Sequence, residues 1–448
     1  MDKREFLKIT GMVAGSAMLG QYAKGEELPA HQTNWAGNLH YHADHLYAPA
    51  NTAELQDLVR KLSKIRGLGS RHCFNTIADT PASQISLLHF DSMELDSAAH
   101  TVTVGAGVRY GILAPWLDQK GFAVHNLASL PHITVAGAIG TATHGSGIHN
   151  GNLTTAVSAI EFVTADGNLH TLTRAKDGER FKKAVVHLGS IGILTRVTLD
   201  VQPRFEMTQL VYQNLPFKEL EHNLEAIMGA GYSVSLFTDW QKHKVNQVWI
   251  KDKTQPGVAA KIPPLFYNAT AAKTNLHPID GHSAVSCTEQ MGAPGPWYER
   301  LPHFKMNFTP SSGAELQTEY FVPRNRGYEA ILAVESLHEK IGPHLFITEL
   351  RAIAADDLPI SMAYQRDSLA IHFTWKPETP AVTALLPLIE EKLAPFQPRP
   401  HWGKVFTLAP EKIAAHYPKF ADYQALIKEL DPSGKFRNDF INHNIFNA

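Results

Sequence analysis

A chain of 448 residues is too long for one ordinary hydrophobic core, so two or three domains are expected. Its 41 Lys and Arg nearly balance 43 Asp and Glu and are scattered along the chain, which sets nucleic acid aside as a partner. A hydrophobic fraction of 44% with 31 Gly and 27 Pro is that of an ordinary globular protein, and no apolar run reaches the roughly 18 residues that a membrane span needs.

Residues 1–28 read as an address. Lys3-Arg4-Glu5-Phe6-Leu7-Lys8 is basic, Ile9 to Ala23 is small and mildly apolar, and charge returns at Lys24-Gly25-Glu26-Glu27. The basic pair before Phe-Leu-Lys resembles a twin-arginine export signal with Lys3 in place of the first arginine, so a periplasmic protein with no membrane attachment after processing is expected. A short N-terminal helix on a cytoplasmic protein is the alternative. His40, His42 and Asp44 would share one face of a strand, but no further ligand at suitable spacing completes a metal set, and no metal is expected.

Asn51-Thr52-Ala53-Glu54 has the form of a capping box and opens a helix with Leu55, Leu58, Val59, Leu62 and Ile65 at helical spacing. The glycine-bearing run Arg66-Gly67-Leu68-Gly69-Ser70-Arg71-His72-Cys73-Phe74-Asn75 follows. About sixty residues later comes a second small-residue loop, Leu127 to Gly147. Two such loops can wrap a dinucleotide, because glycines let backbone N–H groups approach a pyrophosphate, and a histidine at the end of one can reach the cofactor ring. Between them, Thr101 to Val104 alternates as a strand, Gly105-Ala106-Gly107 turns, and Tyr110 to Lys120 is a helix with Ile112, Leu113, Trp116 and Leu117 on one side. Ala159 to Thr164 and Leu169 to Thr173 form a hairpin about Asp166-Gly167, Arg196 to Val201 is a further strand, and a boundary falls near residue 205. Only Cys73 and Cys287 are present, so no disulfide framework supports the fold.

The second half reads as a broad mixed or antiparallel sheet backed by helices. Strands are expected at Tyr232–Trp240, Gln247–Ile250, Ala314–Val322, Thr348–Ile353 and Ser368–Trp375, a helix over Gly327–Ile341, and a long surface loop from Gln255 to His277. Glu349-Leu350-Arg351 alternates, so both charged side chains face one side, and His372-Phe373-Thr374 repeats the pattern. A site for hydroxyl-rich ligands needs such a set: a carboxylate to accept, and guanidinium, ammonium and hydroxyl groups to donate.

Asn34-Trp35-Ala36-Gly37-Asn38, Ala128-Ser129-Leu130-Pro131-His132-Ile133, Thr143-His144-Gly145-Ser146-Gly147, Thr309 to Gln317 and Arg399-Pro400-His401-Trp402-Gly403-Lys404 together resemble the alditol oxidases of the vanillyl-alcohol-oxidase, or PCMH-type, flavoproteins, from about Asn34 to Phe436. The resemblance implies an α+β fold: after an export signal at 1–28, a two-part PCMH-type FAD-binding domain at 29–205 and a substrate (cap) domain at 206–448. It implies FAD bound covalently through His72 and held by Gly67, Leu68, Gly69, Ser70, Arg71, Cys73, Ser129, Thr134, Gly137, Ala138, Ile139, Gly140, His144, Gly189, Ile191 and His401. Arg71 and Cys73 stand where Gly and Ser are usual. Residues 127–150 hold no cysteine, so a single attachment is implied.

On the substrate side the resemblance implies that Ser129, Glu349, Arg351, Thr374 and Lys404 contact a polyol, with Lys404, His372, Arg351 and Glu349 as the catalytic set. The implied reaction takes the terminal hydroxyl of an alditol to the aldose by hydride transfer to flavin N5, and O2 then yields H2O2. Lys404 or His372 assists as the base, and a like charge at Arg351 would disfavour the Lys404 ammonium, as a base near neutrality requires. A monomer is expected. The alternatives are a flavin dehydrogenase or aldonolactone oxidase on the same fold and, from another class, a non-catalytic carbohydrate-binding protein.

Overall fold

The computed structural model describes residues 27–28, 32–308 and 314–447, so the expected export segment lies outside the described residues except for Glu27–Leu28. Asn51 caps the first helix, Thr52–Lys61: its side chain accepts from Glu54 N, and the Glu54 carboxylate accepts in turn from Ala50 N. Leu55 and Val59 are buried, but the helix stops where Leu62 turns extended. Ile65, read as the last apolar residue of the helix, instead opens the strand Ile65–Leu68. That strand pairs in parallel with Ser83–Ser86, which pairs in parallel with His45–Tyr47, and Glu27–Leu28 closes the edge.

A second, antiparallel sheet runs in the order Met93–Asp96, Thr101–Gly105, Ile193–Asp200, Val157–Val163, Leu169–Thr173. The Asp166-Gly167 turn needs its glycine, which sits at φ +81°. The helix Tyr110–Gln119 buries Tyr110, Leu113, Ala114 and Leu117, an i, i+3, i+4, i+7 set. Ile112, expected on that side, is 51% exposed.

The remaining chain builds a ten-stranded sheet in which every paired neighbour is antiparallel. Its order is Leu265–Phe266, Ala269–Ala271, Glu206–Pro216, Lys244–Thr254, Ser233–Thr238, Leu345–Ile353, Ser368–Trp375, Leu316–Pro323, Arg399–Pro400, with Gly295–Pro296 beside Glu206–Pro216. The run read as a surface loop from 255 to 277 therefore contributes a small hairpin to one edge. The helix expected over 327–341 is broken into Gly327–Glu335 and His338–Ile341.

Register decides what this sheet presents. Phe237 pairs with Glu349, Glu349 with His372, and His372 with Glu319, so four side chains form one row on one face; Gln317 pairs with Thr374 in the next. The row behind, Leu236, Leu350, Ile371 and Tyr320, is fully buried on the other face. Helices Lys218–Met228 and Gly327–Glu335 pack against this sheet, and Tyr320 donates to Glu390 of the helix Thr379–Leu393. Burying each large apolar side chain contributes about 1.5–3 kcal/mol, enough to hold a charged row fixed on the opposite side.

The C-terminal segment returns to the first sheet. Ile65 N donates to Lys435 O, Lys64 Nζ to Gly434 O, and the Asn438 amide to the carbonyls of Thr76, Ile77 and Asp79. The Asp431 carboxylate shapes this turn by accepting from the backbone N–H of Lys435 and Phe436.

Candidate active site

A cleft of about 1490 Å³, its open mouth included, lies between the glycine loops and the charged face of the large sheet. The loops are tied together: Thr134 N donates to Ser70 Oγ at 3.1 Å, and Thr134 Oγ1 accepts from Gly137 N. A Cβ on Gly69 would lie 2.6 Å from Thr134 Oγ1, and one on Gly140 2.6 Å from the His187 ring, so neither position admits a side chain without a shift. The first loop is also tied to the far end of the chain. Phe74 N donates to Gly403 O, and the Asn75 amide donates to Trp402 O and Lys404 O.

His72 faces the cleft with its ring stacked on Trp35, centroids 5.0 Å apart. Burial, with His132, Arg109 and Arg71 adding positive charge, pushes it down to about 3, so its ring is neutral and nucleophilic at ordinary pH. Arg71 adopts φ +62°, the conformation that favours glycine and that accounts for glycine being usual here. Its guanidinium is taken by Gln32 Oε1 at 2.5 Å and Thr33 O at 3.2 Å. Cys73 lines the cleft beside Gly403, and burial pushes its thiol up to about 11, which disfavours the reactive thiolate. Cys73 and Cys287 are both free.

Of the other residues expected to hold the cofactor, Gly67, Leu68, Gly69, Ser70, Ser129, Thr134, Gly137, Ala138, Gly140, His144, Gly189 and His401 line the cleft. Ile139 and Ile191 are fully buried and lie behind the wall rather than in it. Arg66 was not anticipated. It lines the cleft and spends its buried guanidinium on four carbonyls, those of Ile77, Leu188, Gly189 and Phe436.

At the other end Ser129, Glu349, Arg351, His372, Thr374 and Lys404 come together around a residue the sequence reasoning missed. Glu319 is 1% exposed; it accepts from Arg351 at 2.7 Å and from Lys404 at 2.7 Å. The signal was available, since Gln317-Thr318-Glu319 alternates inside an apolar strand as Glu349-Leu350-Arg351 does. Burial alone would raise Glu319, but Lys404, His144 and Arg351 hold it well below the carboxylate range. Glu349 is likewise lowered against its burial by Arg351 and His303. Arg351 also donates to Ser129 Oγ at 3.2 Å.

Lys404 Nζ lies 2.5 Å from His372 Nδ1, while His372 Nε2 lies 3.2 Å from Thr374 Oγ1. Burial first and Arg351 second push Lys404 down, with Glu319 opposing; the direction is that expected from like charge, but desolvation is the larger cause. Burial and Lys404 push His372 down to about 4. His144 Nδ1 engages Gly145 O, and its Nε2 is 3.2 Å from Glu319 Oε1 without hydrogen-bond alignment. His144, Glu319 and His401 have the spacing of metal ligands, yet both Glu319 oxygens are taken by the two cations. His40, His42 and Asp44 do not share a strand face: residues 41–44 form no strand, and His42 Nδ1 pairs with Asp79 at 2.7 Å.

A cradle that only glycine fits, a neutral histidine at its rim and a charged row facing it match a flavin dinucleotide. A family model described as an FAD binding domain matches residues 43–173, and one described as D-arabinono-1,4-lactone oxidase matches residues 311–444. The fold is also that of a cholesterol oxidase from Brevibacterium sterolicum, with a TM-score of 0.75 at 14% identity, covering 94% of this chain and 98% of that one. The protein is an FAD-dependent oxidoreductase of the PCMH-type fold, α+β in class. Over 91% of its length it is 46% identical to an alditol oxidase of Streptomyces sp., 97% of which is covered, and it belongs to the alditol oxidase family. It is 25% identical to an L-gulonolactone oxidase of Mus musculus over 91% of this chain and 96% of that one.

Proposed function

We propose that the protein oxidises the terminal hydroxyl of an alditol of the xylitol or sorbitol type to the aldose, with O2 as acceptor and H2O2 as product. The observation that carries this is the convergence of Ser129, Glu349, Arg351, Thr374 and Lys404 on the wall that faces the FAD loops. A polyol presents only hydroxyls, and this set supplies both signs of partner: Glu349 accepts, while Arg351, Lys404 and the hydroxyls of Ser129 and Thr374 donate. Bound FAD supplies a hydride acceptor at N5 and passes the two electrons to O2.

The substrate hydroxyl gives its proton to Lys404 Nζ as the carbinol C–H leaves as hydride, and the resulting aldehyde closes to the aldose. Burial and Arg351 lower Lys404, the direction a base requires, against the opposing pull of Glu319. His372 accepts at Nδ1 from Lys404 and so aims it. Glu319 balances the two cations, one with each oxygen. His72, neutral and stacked on Trp35, attaches to FAD and retains it. The chain acts as a monomer. Its basic, then mildly apolar, N-terminus directs export, which size comparison of cytosolic and exported protein on a blot tests; a single full-length cytosolic band overturns it.

A peroxide assay on purified, yellow protein across xylitol, sorbitol, mannitol and glycerol tests the activity, with L-gulono-1,4-lactone in the same panel. Peroxide with an alditol is expected. Peroxide with the lactone alone would make the protein an aldonolactone oxidase, and flavin reduction by an alditol without peroxide would make it a dehydrogenase.

A further inference from the structure

We infer that His303, backed by the buried Lys251, is a positioning residue that aims the Glu349 carboxylate. The inference rests on Glu349 accepting from substrate hydroxyls. His303 Nε2 is 2.7 Å from Glu349 Oε1, and Lys251 Nζ is 2.9 Å from His303 Nδ1. Burial pushes Lys251 down to about 7, but its three neighbours, Leu301 O, Pro302 O and His303 Nδ1, match the three donors of an ammonium, which has no lone pair; below that value Nδ1 accepts, the proton of the neutral ring sits on Nε2, and the ring donates to Glu349. Lys251, on the strand Lys244–Thr254, is fixed by donating also to Leu301 O at 2.6 Å and Pro302 O at 3.2 Å. Burial, with Lys251 adjoining, pushes His303 down to about 4, so the ring stays neutral.

The ring has little freedom. Phe237 and Trp249 meet it edge-on, centroids 5.5 and 5.2 Å away, and Lys251, His303 and Glu349 are all buried. The backbone N–H groups of His303 and Phe304 both donate to Ser129 O, so the segment that aims Glu349 also holds the residue whose hydroxyl meets Arg351. Both contacts on Glu349, from His303 and from Arg351 Nε at 3.6 Å, fall on Oε1, which leaves Oε2 as the oxygen offered to the cleft. Lys251 does not line the cleft, so its effect on substrate must pass through His303.

Steady-state kinetics with xylitol on flavin-loaded His303→Leu, His303→Gln, His303→Asn and Lys251→Met variants test the relay, with melting temperature and flavin content measured alongside. His303→Leu is expected to raise KM at least tenfold, by more than kcat falls. His303→Gln keeps an N–H donor within reach of Oε1 and is expected to return KM to within threefold of the parent. Lys251→Met raises KM three- to tenfold from outside the cleft. If His303→Leu does not fold, His303→Asn, too short to reach Oε1, takes its place with the same expectation. A KM within twofold of the parent, or equal losses for Gln and the non-donor variant, overturns the inference. Glu349→Gln separates the two levels. Should it leave KM unchanged, Glu349 is not the polyol acceptor and the site assignment falls with the relay; should it raise KM while the His303 variants do not, the relay alone falls.

Discussion

Replacing Glu319 by Gln tests the electrostatic centre of the site. Glu319 sits 2.7 Å from both Arg351 and Lys404; Glu319 and Arg351 are buried, and the Lys404 side chain is nearly so. At an effective dielectric of about 20, two unit charges about 4 Å apart attract by about 4 kcal/mol, and deleting one member of a buried pair costs about 3–5 kcal/mol because the other is left uncompensated. Arg351 retains Glu349 at 3.6 Å, whereas Lys404 keeps the neutral His372 as its hydrogen-bond partner and only the more distant field of Glu349, so the loss falls mainly on the lysine. Glu319→Gln should therefore destabilise by about 3–5 kcal/mol, a large fraction of the roughly 5–15 kcal/mol that holds a typical native state. Without the anion the Lys404 ammonium is disfavoured further. A base works deprotonated, so the acid limb of flavin reduction against pH should move to lower pH. Thermal melting and anaerobic stopped-flow reduction by xylitol across pH measure both. A variant that melts with the parent, or an acid limb that moves to higher pH, would refute the reasoning.

Stability should fall on acidification. His303 and His372 stay neutral in the fold down to about 4, whereas the unfolded chain protonates them near 6.5; unfolding between those values takes up protons, and stability drops by about 1.4 kcal/mol per pH unit for each histidine. Urea melts at pH 7 and pH 5 check this, and equal or greater stability at pH 5 would contradict it. His72→Ala should release flavin into the supernatant of acid-precipitated protein while the parent pellet stays yellow; colourless parent pellets would refute covalent attachment. Gly69→Ala, whose Cβ would press on Thr134, should lower the flavin-to-protein ratio of purified enzyme severalfold with the protein still folded, and full loading would contradict the fit assigned to the cradle.

Much of this arrangement was legible in local sequence because it depends on local chemistry. The Asn51 cap, the Asp166-Gly167 turn and the paired charges of Glu349-Leu350-Arg351 follow from capping, from left-handed backbone and from the two-residue period of a strand. Ile65 and Ile112 were misplaced for a related reason: a helical period continues on paper past the point where the backbone turns extended, and it does not say which side of a helix meets the core. Glu319 and His303 escaped notice because their meaning is non-local. Glu319 matters through strand register with His372, and His303 through a loop that Lys251 holds from another strand. Arg71 posed a question that sequence could not answer, and backbone geometry did: the position needs positive φ, and the side chain is spent on Gln32 and Thr33.

The central claim is that a sugar alcohol held by Glu349, Arg351 and Lys404 is oxidised at the FAD. Anaerobic mixing of the purified protein with xylitol or sorbitol, followed at the visible flavin band, tests it most directly, with Lys404→Met alongside. Bleaching in the parent, slowed at least a hundredfold in the variant and reversed by air with release of peroxide, is the predicted result. A parent spectrum that no alditol changes, or a Lys404→Met variant that bleaches as fast as the parent, would contradict it.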